Sequence, residues 1–226
     1  MRLTKATNES IRYACLHYHY SKAVPVNCLG YNVYNDADEW CGVILYGTGA
    51  TSNIGKEYNL PQGGVLELTR VALNGKQEQT SKAVAMSIKQ LKKDCPHCRL
   101  IVSYADCDQQ HLGTIYQATN WIYVGQRNSN SVSAFIVNGK KMHPKSVYSK
   151  KVIINGKKVH CPQTLDAVRK YLDPKAELFY TKGKRKYLMP MDKAMRKQIE
   201  HLAMPYPKNE GEWTKIDRNT FKHKHE

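Results

Sequence analysis

Apolar positions recur along this chain with two periods, and they switch several times. From Thr7 to Tyr20, Ile11, Cys15 and Leu16 give a partial apolar stripe at helical spacing, with Thr7 or Asn8 as its cap. Leu29 to Val33 and Trp40 to Tyr46 read as strands separated by the turn-rich NDADE. Gly47 to Gly64 is a Gly/Asn/Ser-rich loop. VLELTRVAL, residues 65–73, alternates as a strong strand. Ser81 to Lys93 places Val84, Ile88 and Leu91 on one helical face. RLIVSY predicts a strand over 99–104, Leu112 to Thr119 a helix, and 121–125 and 132–137 further strands. Helices at 166–172 and 191–202 follow, with a loose, Pro- and charge-rich tail from Met204. Helices interleaved with strands predict an α/β domain on a mixed central sheet flanked by helices.

Charge changes this picture. The 226 residues carry a formal net charge of +16. Residues 1–136 hold 13 Lys and Arg against 10 Asp and Glu, whereas residues 137–226 hold 22 against 9. We therefore expect a catalytic domain over 1–136 and a basic C-terminal extension over 137–226. Segregated positive charge is the footprint of a polyanion binder. The 15 Tyr, against three Phe and three Trp, favour half-wet surfaces where the hydroxyl finds a partner. No apolar run reaches membrane-spanning length and no signal-type segment opens the chain, which predicts a cytoplasmic protein with mostly reduced cysteines.

The basic segment contains an echo. FIVNGKKMHPKSV, residues 135–147, resembles VIINGKKVHCPQTL from residue 152, and Asn138/Asn155 and His143/His160 share a 17-residue offset. Asn-Gly between apolar runs predicts type I′ hairpins. Their tips would carry Lys140, Lys141, Lys157 and Lys158, next to His143 and His160, toward phosphates. Further on, Lys182, Lys184, Arg185 and Lys186 are interleaved with Tyr180 and Tyr187, a mixture that suits a nucleic-acid groove.

Some motifs carry candidate chemistry. Strand, loop and helix in LTRVALNGKQEQTSKAV make a natural phosphate site, with Ser81 at the helix start. Arg70 lies among apolar strand residues, where a charge needs a partner, either Asp106 or a donor phosphate. Asp106, at a strand end, is a candidate general base or metal ligand; capping the next segment is the plainer role. Tyr116 is a candidate proton shuttle or base-stacking ring, and otherwise a core residue. His17, His19, Tyr20 and Asp106 could build the two-His-one-carboxylate type of site that favours iron; His17 and His19 lie too close on a helix to share a face, which leaves His19, Tyr20 and Asp106 as the candidate ligands. CPHC at Cys95–Cys98 reads as free thiols, since one C-x-x-C lacks two zinc ligands.

Several motifs in shared order resemble the phage Mom proteins. They are HYS at His19–Ser21, LTR at Leu68–Arg70, the helix begun by Ser81, SYAD at Ser103–Asp106, GTIYQATNWIYVG at Gly113–Gly125, and the His143 element. The likeness runs through most of residues 15–190. It implies a GNAT-like acyltransferase fold and conversion of adenine in double-stranded DNA to N6-carbamoylmethyladenine, which protects phage DNA from restriction. It also implies an acyl-donor site and iron. The roles fall on His19, Tyr20, Arg70, Ser81, Asp106 and Tyr116, with Ser81 and Arg70 facing the donor. NGKQEQTS stands where the GNAT pyrophosphate loop would be, so either acetyl-CoA or an aminoacyl-tRNA remains a donor candidate. An acyltransferase acting on RNA or protein amines, and a non-catalytic DNA-binding protein, are the rival functions.

Overall fold

The computed structural model describes residues 1–49 and 53–208. Twelve strands and six α-helices occur among them. In order these are β1 (Arg2–Lys5), α1 (Asn8–His17), β2 (Cys28–Tyr34), β3 (Trp40–Gly47), β4 (Val65–Leu73), α2 (Thr80–Asp94), β5 (Leu100–Asp106) and α3 (Thr114–Gln117). Then come β6 (Ile122–Arg127), β7 (Ser131–Val137), β8 (Lys140–Met142), α4 (Pro144–Tyr148), β9 (Lys151–Ile154), β10 (Lys157–His160), α5 (Leu165–Tyr171), β11 (Glu177–Thr181), β12 (Lys184–Pro190) and α6 (Lys193–Ile199).

The expected α/β architecture is present. Seven strands form one sheet in the order β1-β2-β3-β4-β5-β12-β6. The first three pairings are antiparallel and β4–β5 is parallel. Helices begin where the sequence predicts them. Thr7 caps α1 through a reciprocal pair with Ser10, and Val84 and Leu91 turn the apolar face of α2 into the core. That core gathers Tyr31, Tyr46, Leu91, Ile101, Trp121 and Tyr187.

The basic segment departs from expectation. Two compact units divide the chain, one of residues 1–105, 111–125 and 185 onward, the other of 106–110 and 126–184. The 136/137 boundary therefore does not describe the packing, and the basic region is an insertion between two strands of the large sheet. The reason lies in β12, whose Lys-Arg-Lys opening, interleaved with tyrosines, suits a nucleic-acid groove in the sequence. Its Lys186, Tyr187 and Leu188 are buried, and it takes a place between β5 and β6. The insert holds a three-stranded sheet, β11-β7-β8, the β9–β10 hairpin, and a small core of Phe135, Val137, Val147, Val152, Cys161 and Val168. It carries 13 Lys and Arg against 5 Asp and Glu in 64 residues, half of the chain's net charge.

Both Asn-Gly turns adopt positive φ at each residue, 50° and 70° at Asn138–Gly139 and 51° and 74° at Asn155–Gly156, as a type I′ turn requires. The tail is not loose where it is described. Met204 N–H donates to the Tyr123 carbonyl at 2.8 Å, and the Tyr206 hydroxyl to that of Trp121 at 2.6 Å. Residues 209–226, and residues 50–52 of the Gly/Asn/Ser-rich loop, lie outside the described residues. Among the described residues no helix is long and apolar enough to cross a membrane.

Candidate functional site

Strand β4 positions the site by leaving its neighbour. It pairs with β3 as far as Leu73, but with β5 only at Val65–Glu67 against Leu100–Val102. Within the free stretch the register slips, with Leu45 opposite Arg70 and Tyr46 opposite Leu68, so Thr69 is an extra residue. A bulge re-aims the side chains around it. Arg70 Nη1 donates to the Thr69 carbonyl at 2.7 Å, while its Nε is buried with no hydrogen-bond partner among the described residues. No carboxylate pairs with Arg70 among the described residues.

Beside Arg70 sits His19. The Ser21 backbone N–H donates to its Nδ1 at 3.2 Å, and Ser21 Oγ lies 2.8 Å from the same nitrogen. Burial, then the positive charge of Arg70, His111 and Lys22, push the His19 pKa down to about 4. The ring is neutral at physiological pH, and with Nδ1 accepting, its proton resides on Nε2. Tyr20, half exposed, packs its ring 4.4 Å from His19 and edge-on at 5.7 Å from His111.

Tyr116 is largely a core residue. It belongs to α3, which starts at Gly113 with φ +77°; a Cβ there would come within 2.5 Å of the Tyr187 ring. Tyr116 is 8% exposed, packs against Trp121 and Tyr187 at 5.0 and 4.9 Å, and has its hydroxyl 2.8 Å from Ser103 Oγ. Burial pushes its pKa up to about 12, with Tyr20 and Glu67 among the groups acting on it. A ring so enclosed offers no face for a base, which corrects the stacking expectation. Arg70, His19 and Tyr20 are thus brought together, with Tyr116 in electrostatic reach of Tyr20. His111, Ser103 and Glu67 belong to the same neighbourhood and were not singled out from sequence. Ser103 is part of the SYAD motif, whereas nothing in the sequence marks His111 or Glu67.

Ser81 occupies a different place. Gln79 caps α2 without any side-chain hydrogen bond, and no acidic residue stands in the first turn. This end opens on a groove of about 410 Å³ lined by Gln79, Ser81, Lys82 and Lys89 on one side and Thr119 and Asn120 on the other. Uncapped N–H groups, a favourable helix dipole and two lysines suit an anion.

Asp106 takes the plainer of its two expected roles, accepting the Asp108 N–H at 2.9 Å to cap a 3₁₀ turn. Among the described residues no three or more His, Cys, Asp or Glu gather as a metal site. His19, Tyr20 and Asp106, the residues expected to hold iron, are not part of such a group, and no step is assigned to a metal. Cys95 and Cys98 carry free thiols, and Cys98 Sγ donates to the Leu100 carbonyl.

The basic residues divide by environment. Lys140, Lys157, Lys158, Lys182 and Lys184 are exposed. Lys141 lies 3.6 Å over the Phe179 ring and 3.4 Å from Asp108. His143 is a helix cap, accepting the Lys145 N–H, and Arg185 donates to the His111 carbonyl. Lys186 is 6% exposed and pairs with Glu57 at 2.6 Å, so it cannot serve as a phosphate contact. Tyr187 is likewise buried, not interleaved at a surface.

Several solved structures are similar to this chain at low identity. A Bacillus subtilis acetyltransferase in complex with CoA is 12% identical, with 84% of this chain and 97% of that one covered at a TM-score of 0.47. A GNAT family acetyltransferase from Elizabethkingia anophelis with acetyl-CoA bound is 11% identical, with 84% and 97% covered at 0.42. A point mutant of the Vibrio cholerae spermidine N-acetyltransferase is 9% identical, with 89% and 99% covered at 0.43. Likeness of this degree carries nothing over about donor or acceptor. No curated protein matches the chain in sequence. The model of the Mom protein family matches residues 1–208, nearly the whole described chain. The chain belongs to the Mom protein family.

Proposed function

We propose that this protein modifies N6 of adenine in double-stranded DNA, giving N6-carbamoylmethyladenine and so shielding the DNA from restriction. The observation that carries the reading is Arg70, a partly buried cation with no acid partner among the described residues, on the stretch of β4 that β5 has left, beside a neutral histidine. A charge held in such a place at a cost is suited to receive negative charge from a ligand or transition state.

N6 is a weak nucleophile because its lone pair is drawn into the ring, and the adenine must leave the stack to be reached. In the N6-carbamoylmethyl product N6 is bonded to a methylene carbon. As the N6–CH2 bond forms, the bond from that carbon to the donor's leaving group breaks, the leaving group departs with the electron pair, and N6 gives up a proton to a base. Arg70 is suited to stabilise the negative charge that develops on the leaving group. The Nε2–H of His19 is a donor for a ring nitrogen of adenine, and the half-exposed Tyr20 offers a stacking face. The Tyr116 phenol keeps its proton well beyond neutrality, which suits delivery of a proton to the leaving group. Asp106 remains the candidate base.

The groove at Ser81 and Lys82 suits the phosphates of a polyanionic donor. An aminoacyl-tRNA carries the nitrogen that the carbamoylmethyl group needs, whereas acetyl-CoA, whose acetyl group has none, would give an N6-acetyl adduct of different mass. The charge of the insert supports a DNA partner. Work on DNA in this role belongs in the cytoplasm of the host cell.

The test is mass spectrometry of nucleosides from DNA co-expressed with the protein. An adenine adduct that disappears with Asp106→Ala or Arg70→Met is the expected result. Unmodified DNA alongside acylated tRNA or protein would overturn the reading in favour of another acceptor. Equal restriction protection by wild type and by both variants would point to a non-catalytic binder.

A further inference from the structure

The two echoed segments of the insert end in different structures. His143 is spent on capping α4. Its counterpart His160, the last residue of β10, lies on the outer face of the β9–β10 ribbon. The register places His160 opposite Lys151, Val159 opposite Val152, and Lys158 opposite Ile153. Directly opposed residues share a face, and faces alternate along a strand. Val152 and Val159 therefore turn to the small core of the insert, as their burial confirms. Lys151, His160, Ile153 and Lys158 turn to solvent, Ile153 being 60% exposed.

Tyr148, the last residue of α4, completes this face. Its ring stacks on His160 with centroids 4.3 Å apart and planes inclined by 7°. Lys151 Nζ lies 2.8 Å from His160 Nε2, and His160 Nδ1 lies 2.8 Å from the Tyr148 carbonyl oxygen. An ammonium only donates, so Nε2 accepts and Nδ1–H donates to the carbonyl. Both ring nitrogens are committed, which fixes the imidazole against the phenol. Tyr148 nevertheless stays 50% exposed. A nearly parallel, pinned aromatic stack with open area, ringed by lysines, is costly to leave in water and gains from a flat neutral ring carried on an anionic backbone.

We propose that the outer face of the β9–β10 ribbon is a second nucleic-acid site, on which the Tyr148–His160 pair stacks an unpaired base while Lys151 and Lys158 meet the adjoining phosphates. Its occupant is a DNA strand with a base out of the duplex, which deepens the DNA-modification reading and rests on it for the identity of the nucleic acid. Phosphates supply affinity without sequence information, and stacking is tolerant of base identity, so the site selects for an opened strand and not for a sequence.

The test is fluorescence-anisotropy binding of the full chain to three DNAs: a perfect duplex, the same duplex with one bulged base, and a single strand. Tyr148→Ala should weaken binding to the bulged and single-stranded DNAs about 5-fold or more and leave the perfect duplex within about 2-fold, while Tyr148→Phe restores wild-type binding. Lys158→Gln should lower the slope of log affinity against log salt by about 1. The proposal is overturned if Tyr148→Ala binds all three DNAs as wild type does, or weakens them equally. It is also overturned if an acidic peptide, and not DNA, shifts the Tyr148 signal. The adenine adduct is scored on the same preparations. Intact, Tyr148-dependent binding with no adduct would sink the modification reading alone; an adduct with Tyr148-independent binding would sink this proposal alone.

Discussion

The Ser21 backbone N–H donates to Nδ1 of His19 across 3.2 Å, and this short loop of chain decides which nitrogen of the ring carries its proton. Burial and the neighbouring Arg70 charge then keep the ring neutral. Two residues of one HYS motif and a strand residue some 50 positions away thus set the charge state of one ring.

The His19 ring should stay neutral well below the usual histidine range. In the unfolded chain it titrates near 6.5, in the folded protein near 4. Between those values the unfolded state binds the proton and the native state does not, so stability falls as pH drops from about 6.5 to about 4. Proton NMR should find one histidine whose ring signals do not move above pH 5. His19→Gln should flatten the part of the pH–stability curve that this ring contributes, as read by urea melts at pH 7 and pH 5.

Arg70→Met should separate stability from activity. The guanidinium has no acid partner to orphan among the described residues, so its removal is expected to leave the thermal midpoint unchanged or raise it. The His19 pKa should move back toward 6.5. Adduct formation should fall about 100-fold or more if the cation stabilises developing charge. A large loss of stability in thermal melts would assign Arg70 to structure instead.

Tyr116→Phe removes only the hydroxyl that faces Ser103. A loss of about 0.5 to 1.5 kcal/mol in stability is expected, whereas Tyr116→Ala, which empties a core site, should cost about 3 to 5 kcal/mol. If the phenol delivers a proton, the folded Tyr116→Phe protein should lose about 100-fold in rate. Chemical denaturation and adduct kinetics on the same preparation separate the two effects.

Lys186 and Lys158 should behave oppositely. Glu57→Gln strands the buried Lys186 ammonium and should destabilise the protein by about 1 to 3 kcal/mol, less than a fully buried pair because Glu57 is half exposed. Lys186→Met should restore much of that loss and leave the salt dependence of DNA binding as in wild type. Equal effects of Lys186→Met and Lys158→Gln on the salt slope would contradict the burial of Lys186.

Local chemistry made much of this protein legible in its sequence. The alternation of VLELTRVAL, the amphipathic spacing of Val84, Ile88 and Leu91, and the Asn-Gly turns each specify their element through short-range physics, and the structure has them where the pattern puts them. His19, Tyr20, Arg70, Ser81, Asp106 and Tyr116 are nameable together because their motifs keep a fixed order, but that order does not say which of them meet. Long-range partnership decided the rest. Whether Lys186 faces phosphate or Glu57, whether Tyr187 is a surface ring or the lid on Gly113, and whether β12 is a loop or a central strand depend on residues some 70 to 130 positions away. Two echoed histidines with near-identical neighbours became a helix cap and half of an aromatic stack. The sequence sets hydrogen-bonding capacity, charge and local geometry; only the packed chain decides which buried group finds a partner, because that partner is brought in by folding and not by proximity along the backbone.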